Sequence, residues 1–489
     1  MIFFNFKRNK LIENIRDDRM NESIELVKEI NIDRVLKKAA TLGAAYADIR
    51  FQNYQEEIIQ IEDEKLDNYN SSNKVGTGIR VTVNDAVGFA STSDLSKTSI
   101  DDTLKAAVKA AKSFTSKKGV LANSKQVLKQ VFRRTKIDPF DISPEEKVAL
   151  LIEANKAAKI SDEIKSRTTM MGYSLDYKYF QSSEGNQYSS SIPLIGIHHL
   201  SAAAVNGKLE RMGYGKGDCM GYDYITAKDW NDFTADISAL AVQAVNAAAP
   251  PSGTYTAIAD PNLVGLLVHE AFGHASEADL VFTGSSTLKD RLGEQLADEQ
   301  VTIVDSGEIK GGYFVPFDDE GVKKEKTIVL DKGVLKGYLH DRNSANELHV
   351  NPTGNARAQD FENQPQVRMT NTYIDKGKFT FDEMLEDIKN GIYVKRKGAG
   401  GGQVDTASGT FTFRCGESWM IRNGELAEPV RGVVLSGLIL DTLKTVDAVG
   451  NDLEIHNRFF GACGKGGQRA SVGSGGPHIR IQEITVGGK

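Results

Sequence analysis

The chain has 489 residues, a formal net charge of -6 and three cysteines. Its length predicts about two or three domains with ample hydrophobic core. The acidic balance argues against general nucleic-acid binding, and the irregular spacing of an odd number of cysteines argues against a disulfide framework. No apolar run approaches the ~18 residues of a membrane span, and the first residues lack the charge order of a secretory signal. We therefore expect a soluble, cytoplasmic protein that binds neither nucleic acid nor membrane.

Helix-like and strand-like segments occur in clusters along the first half of the chain. Residues 1–25 are charged and mixed in character, and we expect a variable extension or a fraying first helix there. The acidic residues 56–64 are predicted to form a solvated strand edge. The other predicted elements are a helix over 24–42, strands over 48–61, a hairpin over 78–91 that turns at Asn84-Asp85, a helix over 99–112, a helix that Ser143 caps, strands over 165–215 with a turn at Asn206-Gly207, and a helix over 234–249.

The segment Pro250-Pro251-Ser252-Gly253 is the predicted domain boundary, because prolines and glycine interrupt both helices and strands. Residues 26–250 would form an N-terminal domain, and residues 251–489 would form a C-terminal domain of strands and glycine-rich loops. Because strands and helices cluster without strict alternation, the predicted fold class is α+β. More specifically, we expect an N-terminal α/β-type mixed domain followed by a strand-rich C-terminal domain.

The most informative motif is His269-Glu270-Ala271-Phe272-Gly273-His274, which lies in an apolar run over residues 263–275. Two neutral imidazoles can hold Zn²⁺, and a neighbouring carboxylate can accept a proton from a water that the metal activates. Three protein ligands are the usual number at a catalytic zinc, so this motif supplies two of them. The alternative is a buried helix whose histidines bond to backbone carbonyls.

The spacing of the two histidines is i,i+5, whereas zinc-binding helices usually use i,i+4. On a regular α-helix, side chains five residues apart differ in direction by about 140°. A single π-helical turn would bring both rings to one side, and such turns are frequent at functional sites. Gly273 directly precedes the second histidine and tolerates distorted backbone. The motif therefore predicts a metal-binding helix that is irregular near Gly273.

For the third ligand, the residues alone leave more than one candidate. Cys463 lies between glycines, which let a loop turn its thiol toward a metal, and Lys465 would favour the thiolate. Glu277 is the other strong candidate, with Asp279 behind it, and either could instead accept a hydrogen bond from a ligand histidine. Cys415 lies in an alternating strand pattern, which favours a packing role.

Several separated blocks of the sequence resemble one known family. Similarity extends from about residue 45 to the closing Thr485-Val486-Gly487-Gly488 and is densest after Pro261. The blocks are residues 267–279 (LVHEAFGHASEAD), 319–322 (DEGV), 333–339 (GVLKGYL), 352–355 (PTGN), 368–373 (RMTNTY), 401–405 (GGQVD), 450–453 (GNDL) and 463–465 (CGK). On these blocks the chain is identified as a member of the TldD/PmbA family, and of the TldD branch, which keeps the metal motif.

The resemblance implies a zinc peptidase that acts on small or unfolded polypeptides. By position, His269, His274 and Cys463 would be the zinc ligands and Glu270 the general base, so residues 251–489 would be a metallopeptidase domain. The family also implies a narrow, enclosed site formed in a dimer, either a homodimer or a heterodimer with a metal-free PmbA-type (TldE) subunit. The expected reaction is amide hydrolysis by a metal-activated water, with Glu270 returning its proton to the leaving amine.

Two other functions remain open at this stage. One is a non-enzymatic regulator, since the family was first described as modulating DNA gyrase. The other is an assembly subunit with a structural zinc, which would show a closed site of four protein ligands. Arg342 and Arg368 could bind a peptide carboxylate or support an oxyanion, and they could equally be structural ion-pair partners.

Overall fold

The computed structural model describes residues 18–113 and 120–488, so the prediction for residues 1–17 lies outside the described chain. The helices of the first half are α1 (Asp18–Ile30), α2 (Ile32–Thr41), α3 (Lys97–Ser113), a short 3₁₀ turn (Pro139–Asp141), α4 (Pro144–Ala157), α5 (Asp223–Thr226) and α6 (Trp230–Asn246). Its strands are β1 (Tyr46–Glu62), β2 (Lys65–Val83), β3 (Ala86–Thr92), β4 (Leu128–Phe132), β5 (Ile164–Ser182), β6 (Gln187–Val205) and β7 (Lys208–Asp218).

The second half is richer in strands. Its helices are α7 (Pro261–Leu267), a π-helical turn (Val268–Gly273), a 3₁₀ turn (His274–Ser276), α8 (Ala278–Phe282), α9 (Arg342–Glu347), α10 (Phe381–Leu385) and α11 (Ile439–Lys444). Its strands are β8 (Gly253–Ala259), β9 (Ile303–Asp305), β10 (Thr327–Asp331), β11 (Val334–Leu335), β12 (Ala356–Arg357), β13 (Gln366–Val367), β14 (Asn371–Ile374), β15 (Asn390–Val394), β16 (Lys397–Asp405), β17 (Thr410–Cys415), β18 (Ser418–Arg422), β19 (Glu425–Val430), β20 (Val433–Leu438), β21 (Val446–Val449), β22 (Glu454–Lys465), β23 (Gln468–Gly476) and β24 (Ile479–Gly488).

Two hairpins of the first half turn at the predicted residues. Asn84 and Asp85 both have positive φ, 51° and 60°, and they join β2 to β3. Asn206 and Gly207 join β6 to β7 in the same way, with φ of 49° and 78°. Two successive residues at positive φ match the right-handed twist of the flanking strands, and asparagine, aspartate and glycine adopt this backbone most easily.

Predicted helices are confirmed with small shifts at their ends, but the first one is broken. The hydroxyl of Ser143 accepts the Glu146 N–H at 3.2 Å, as expected of an N-cap. The prediction of one helix over residues 24–42 is wrong, because Asn31 adopts a left-handed conformation with φ of 50° between α1 and α2. The Asn31 side chain then accepts the Arg34 N–H and caps α2.

The prediction of a solvated edge over residues 56–64 is also wrong. Strand β1 lies inside the sheet, paired with β2 on one side and with β5 on the other. Glu57 is buried and pairs with the buried Lys147, whose Nζ lies 2.6 Å from the Glu57 carboxylate. The lysine comes from α4, about 90 residues away in sequence, so local charge could not reveal the pair.

Strands of both halves combine in one large sheet. Thirteen strands of the described chain form it, and the main path runs β11-β10-β9-β14-β23-β22-β7-β6-β5-β1-β2-β3, with β4 beside β6. A nine-stranded sheet of the second half follows the order β16-β17-β20-β24-β8-β15-β18-β19, with β21 beside β24. The predicted α+β class with a strand-rich C-terminal part is therefore confirmed.

Helix α7 lies in the core of the second half, where it packs against β23. Asp260 caps it by accepting the Leu263 N–H at 2.8 Å. A Cβ atom on Gly265 would lie 2.5 Å from the Gly475 backbone nitrogen, so the helix approaches the strand as closely as glycine permits. No helix in the described ranges has both the length and the apolar character that crossing a bilayer would require.

Candidate metal centre

The helix that carries the two motif histidines is irregular, as their spacing predicts. Residues Val268–Gly273 form a π-helical turn between α7 and a 3₁₀ turn that begins at His274. The glycine serves another purpose than the predicted one, because Gly273 has an ordinary helical φ of −60°. A Cβ atom there would lie only 2.1 Å from the Met369 Sδ. Gly273 is therefore required for close packing against Met369.

The π-helical turn brings the two imidazoles together with Cys463, near the end of β22. The ring centroids of His269 and His274 lie 5.2 Å apart, and the Cys463 Sγ lies 3.2 Å from the His274 Nε2. One donor atom from each of the three residues lies within 4.8 Å of the other two. The His269 Nδ1 is buried without a hydrogen-bond partner among the described residues. Two nitrogens and one sulfur so arranged fit a tetrahedral zinc that keeps one position open.

The electrostatics of this group favour the metal-binding form of the cysteine. Burial by itself raises the pKa of the Cys463 thiol, but hydrogen bonds from His269 and His274 outweigh it and lower the pKa to about 5. Burial also disfavours the charged form of His274, yet Cys463 and Glu277 raise its pKa to about 10. The thiolate is the state of cysteine that binds metals, and a metal held here would replace the proton between Cys463 Sγ and His274 Nε2.

Glu277 lies on the side of His274 that faces away from Cys463. Its Oε2 is 2.9 Å from the His274 Nδ1 and 3.0 Å from the Lys465 Nζ, and Lys465 also contacts Asp279 at 2.7 Å. Burial by itself raises the pKa of the Glu277 carboxyl, but the contacts with His274 and Lys465 outweigh it. The pKa therefore lies below its usual value, and the group is ionised. Of the two alternatives considered for a third ligand, Glu277 bonds to a ligand candidate and Asp279 bonds to Lys465.

The remaining candidate residues have structural contacts. The Arg368 Nη2 donates to the Cys463 carbonyl oxygen at 2.6 Å, which fixes the strand that carries the thiol. Arg342 pairs with Glu184 at 2.8 Å. Cys415 is buried in β17, where burial raises the pKa of its thiol.

Glu270 borders a cavity of about 110 Å³ that we call the metal cavity, lined among others by His269, Glu270 and Cys463. The Glu270 side chain is partly exposed and forms no hydrogen bond or ion pair with any described residue. Its carboxylate is therefore free to act on a molecule that enters this cavity. The metal cavity places the predicted base beside His269 and Cys463, two of the three residues of the donor group.

Several residues of the cavity wall were not found by reasoning from the sequence. Asn262, Lys397, His456 and Arg458 contribute to this wall from α7, β16 and β22. They share no motif or periodic spacing, and only the packing of separate elements brings them together. Arg458 directly precedes Phe459-Phe460-Gly461, which also lines the neighbouring space.

A buried His-His-Cys group beside a free carboxylate and a cavity has the residue types that metal-dependent hydrolases use. Three family models cover nearly all of the described chain. They are PmbA/TldA metallopeptidase domain 1 over residues 47–111, the PmbA/TldA metallopeptidase central domain over 137–249, and the PmbA/TldA metallopeptidase C-terminal domain over 252–488. The chain therefore belongs to the PmbA/TldD metallopeptidase family.

Two relatives agree with this membership. A metalloprotease of Methanothermobacter thermautotrophicus is 38% identical over 444 residues, which cover 91% of this chain and 95% of the relative. A protein of Saccharolobus solfataricus named zinc metalloprotease TldD homolog is 29% identical over 471 residues, covering 93% and 99% of the two chains. The names of these relatives support a metal-dependent protease at the level of the family.

Solved structures share the fold. A Thermotoga maritima protein proposed as a modulator of a DNA gyrase matches with a TM-score of 0.79 and 22% identity, covering 94% of this chain and 100% of that one. TldE from Thermococcus kodakarensis matches with a TM-score of 0.77 and 16% identity, again covering 94% and 100%. At these identities the comparison establishes the architecture.

Proposed function

We propose that this protein is a zinc-dependent peptidase that hydrolyses small or unfolded polypeptides. The observation that carries the proposal is the convergence of donor atoms from His269, His274 and Cys463 within 4.8 Å of one another. His269 and Cys463 line the same cavity as the free Glu270 carboxylate. A group held for a structural metal alone would have no need of a free carboxylate and an open cavity beside it.

Zinc fits the donor set best. Two imidazoles and one thiolate are ligands that zinc accepts in tetrahedral geometry, whereas magnesium and calcium prefer oxygen. When bound here, zinc would supply a Lewis acid that polarises a peptide carbonyl and makes a water more acidic. The name of the Saccharolobus solfataricus relative supports this choice.

Three side chains in and around the centre would each have a separate role in the reaction. Glu270 would accept a proton from the attacking water and return it to the leaving amine, which requires a carboxylate without a competing partner. Glu277 would hold the His274 ring through its Nδ1–H and leave Nε2 for the metal. Arg368 would keep the Cys463 backbone in position through the carbonyl contact.

The size of the site favours flexible substrates. The metal cavity measures about 110 Å³, and a second cavity of about 240 Å³ adjoins it. Such narrow spaces admit an extended peptide segment and exclude a folded domain. An extended peptide could also pair with a strand edge near the metal, which would give affinity with little sequence preference.

We also propose that the protein works as a dimer, either with itself or with a PmbA/TldE-type subunit. The support for this assembly is membership in the family, because the resemblance to TldD/PmbA proteins implies a site formed in a dimer. The mass of the purified protein by light scattering, alone and after mixing with such a subunit, tests it. A monomer under both conditions at working concentration would contradict it.

The activity is tested with an unstructured peptide whose fragments are read by mass spectrometry. We expect cleavage by the zinc-loaded wild type, alone or with its partner subunit. The Glu270→Gln variant should keep its zinc and lose cleavage, and Cys463→Ala should lose zinc and cleavage together. Equal cleavage by wild type and Glu270→Gln would contradict the assigned base. Full zinc occupancy without any cleavage would instead indicate a structural or regulatory role.

A further inference from the structure

A second cavity opens beside the metal cavity. It measures about 240 Å³ and shares Asn262, Lys397, Arg458 and Gly461 with the metal cavity, so the two spaces adjoin. We call it the basic cavity and define it by four of its lining residues, Tyr214, Lys397, Arg458 and Phe460. Its walls come from both halves of the chain, since Tyr214 lies on β7 and the other three lie on β16 and β22.

The charged side chains that line the basic cavity are all cationic. Among the described residues that line it, none is an aspartate or a glutamate. Lys397 and Arg458 form no ion pair with any carboxylate in the described chain, whereas the adjacent Arg396 pairs with Glu417 at 3.5 Å. The Arg458 guanidinium lies 5.2 Å from the centre of the Tyr214 ring, which holds it at the wall. Two unpaired cations thus face a small space beside the reaction site.

Polar atoms of the same walls lack partners. The Arg458 Nε, the Asn262 Nδ2 and the His198 Nδ1 are all buried without a hydrogen bond to any described residue. All three residues line the basic cavity. Buried polar atoms are nearly always satisfied in folded proteins, so a cluster of unsatisfied ones marks a place where a bound molecule can supply partners. A guanidinium Nε–H and an amide N–H can both donate to one planar anion.

We propose that the basic cavity binds a carboxylate of the substrate through Arg458, Lys397 and Asn262. The proposal rests on the peptidase function proposed above, because it places a charged group of the peptide next to the bond to be cleaved. Arginine and carboxylate match in shape as well as charge, which makes their hydrogen bonds stronger than those between neutral groups. Phe460 and the other apolar residues of the wall would cover the adjoining side chain.

Two groups of a peptide could supply this carboxylate. One is the free C-terminal carboxylate, in which case the enzyme would remove residues from the C-terminal end. The other is an aspartate or glutamate side chain near the cleaved bond. The chemistry at the wall is the same for both, and the position of the anion fixes which bond reaches Glu270.

Matched peptides distinguish the sources. A short unstructured peptide without acidic side chains is prepared with a free C-terminal carboxylate and as the C-terminal amide. A second pair carries one internal aspartate or asparagine, and both of its members end in an amide. Cleavage of each is measured as kcat/KM with zinc-loaded wild type, Arg458→Gln and Arg396→Gln. Arg396 is the matched control, because it contacts the same Tyr214 ring at 4.4 Å and lines neither cavity.

We expect the wild type to prefer one acidic peptide over its neutral match by about tenfold or more, the usual strength of a charge-assisted pair. Arg458→Gln should lose more kcat/KM on the acidic peptide than on its neutral match, so that the preference disappears, and Arg396→Gln should retain the preference. Preference for the free C-terminus assigns the terminal carboxylate, and preference for aspartate assigns the side chain. Equal cleavage of both pairs by the wild type, or a preference that survives in Arg458→Gln, would overturn the proposal.

A binding measurement separates this inference from the activity itself. Zinc-loaded Glu270→Gln and the double variant Glu270→Gln/Arg458→Gln are titrated with the same peptides, and binding is followed by calorimetry. Tighter binding of an acidic peptide that disappears in the double variant supports the carboxylate site even if no peptide is cleaved. Equal binding of acidic and neutral peptides by Glu270→Gln would overturn it, even if the wild type proves to be an active peptidase.

Discussion

Glu277 is a buried carboxylate that contacts one of the candidate metal ligands, His274. It has no exposed surface, and a lone carboxylate in that position would be costly to ionise. The His274 Nδ1 and the Lys465 Nζ supply two polar contacts, at 2.9 and 3.0 Å, that keep it charged. A negative acceptor on one imidazole nitrogen orients the ring and makes the other nitrogen a better ligand.

We predict that Glu277→Gln lowers zinc affinity by roughly 10- to 100-fold, the usual effect of losing such a contact. Glutamine can still accept a hydrogen bond from His274, but it carries no charge to strengthen the imidazole as a ligand. Zinc affinity is measured by competition with a chromophoric chelator. Asp279→Asn is the matched control, because Asp279 also binds Lys465 but does not contact His274. Unchanged affinity in Glu277→Gln would show that the pair serves only folding.

At the scale of the element, the π-helical turn brings two histidines that are five residues apart into one candidate metal group. A regular helix would direct His269 and His274 to different sides, about 140° apart. The inserted residue of the π turn brings their ring centroids to 5.2 Å. Tight contact between Gly273 and Met369 packs the turn against the segment before β14. The geometry of the donors thus depends on the close fit of one glycine.

Gly273→Ala should therefore destabilise the protein by about 1–3 kcal/mol, as expected when a methyl group is forced into a packed core. The backbone conformation suits alanine, so the cost comes from the contact with Met369 Sδ at 2.1 Å. Unfolding by urea measures the loss, and zinc affinity should fall because His274 follows directly. Gly337→Ala is the matched control, since nothing lies within 4 Å of a Cβ atom there.

The double variant Gly273→Ala/Met369→Ala provides a second check on this contact. If the clash is the cause, the two substitutions together should cost less stability than the sum of their separate effects, because the shortened side chain makes room for the methyl group. Strict additivity would assign the loss to the helix backbone instead.

Local elements of this fold could be predicted from the sequence because local rules determine them. Asn84-Asp85 and Asn206-Gly207 adopt the positive φ values that tight hairpins need, and Ser143 caps α4 as its position suggests. The irregularity of the helix with the two histidines was also predictable, because residues five apart can face one metal only if the helix widens or ends between them. Asn31 was missed, since its left-handed conformation leaves no periodic signature.

Contacts between residues that are far apart in the sequence could not be predicted from local sequence patterns. Nothing in residues 56–64 indicates that Glu57 is buried against Lys147. The basic cavity likewise depends on β7 and β22 lying side by side, which one bridge between Asn457 and Gly217 records. Sequence patterns report which face of an element is apolar, but they do not report which element covers it. The convergence of His269 and His274 could be predicted only because both histidines lie in one short motif.

At the scale of the whole molecule, buried ion pairs join the two halves of the chain. Arg80 of β2 donates to Asp48 of β1 and also to Glu320, which belongs to the second half. The other oxygen of Glu320 accepts the Arg342 N–H at 2.7 Å. Lys178 of β5 adds a further contact, to Asp319 at 3.0 Å. These contacts explain the short acidic block Asp319-Glu320 as a connection between the halves.

Removing one partner of a buried pair leaves the other charge poorly compensated, so we predict that Glu320→Gln lowers the free energy of unfolding by about 3 kcal/mol. Arg80 keeps its contact with Asp48, which holds the loss to the lower end of the range for buried pairs. The measurement is urea unfolding, and Asp102→Asn is the control. Asp102 forms an exposed pair with Lys105 at 2.8 Å, and exposed pairs contribute little to stability. Equal losses in the two variants would show that packing between the halves, and not the ion pair, holds them together.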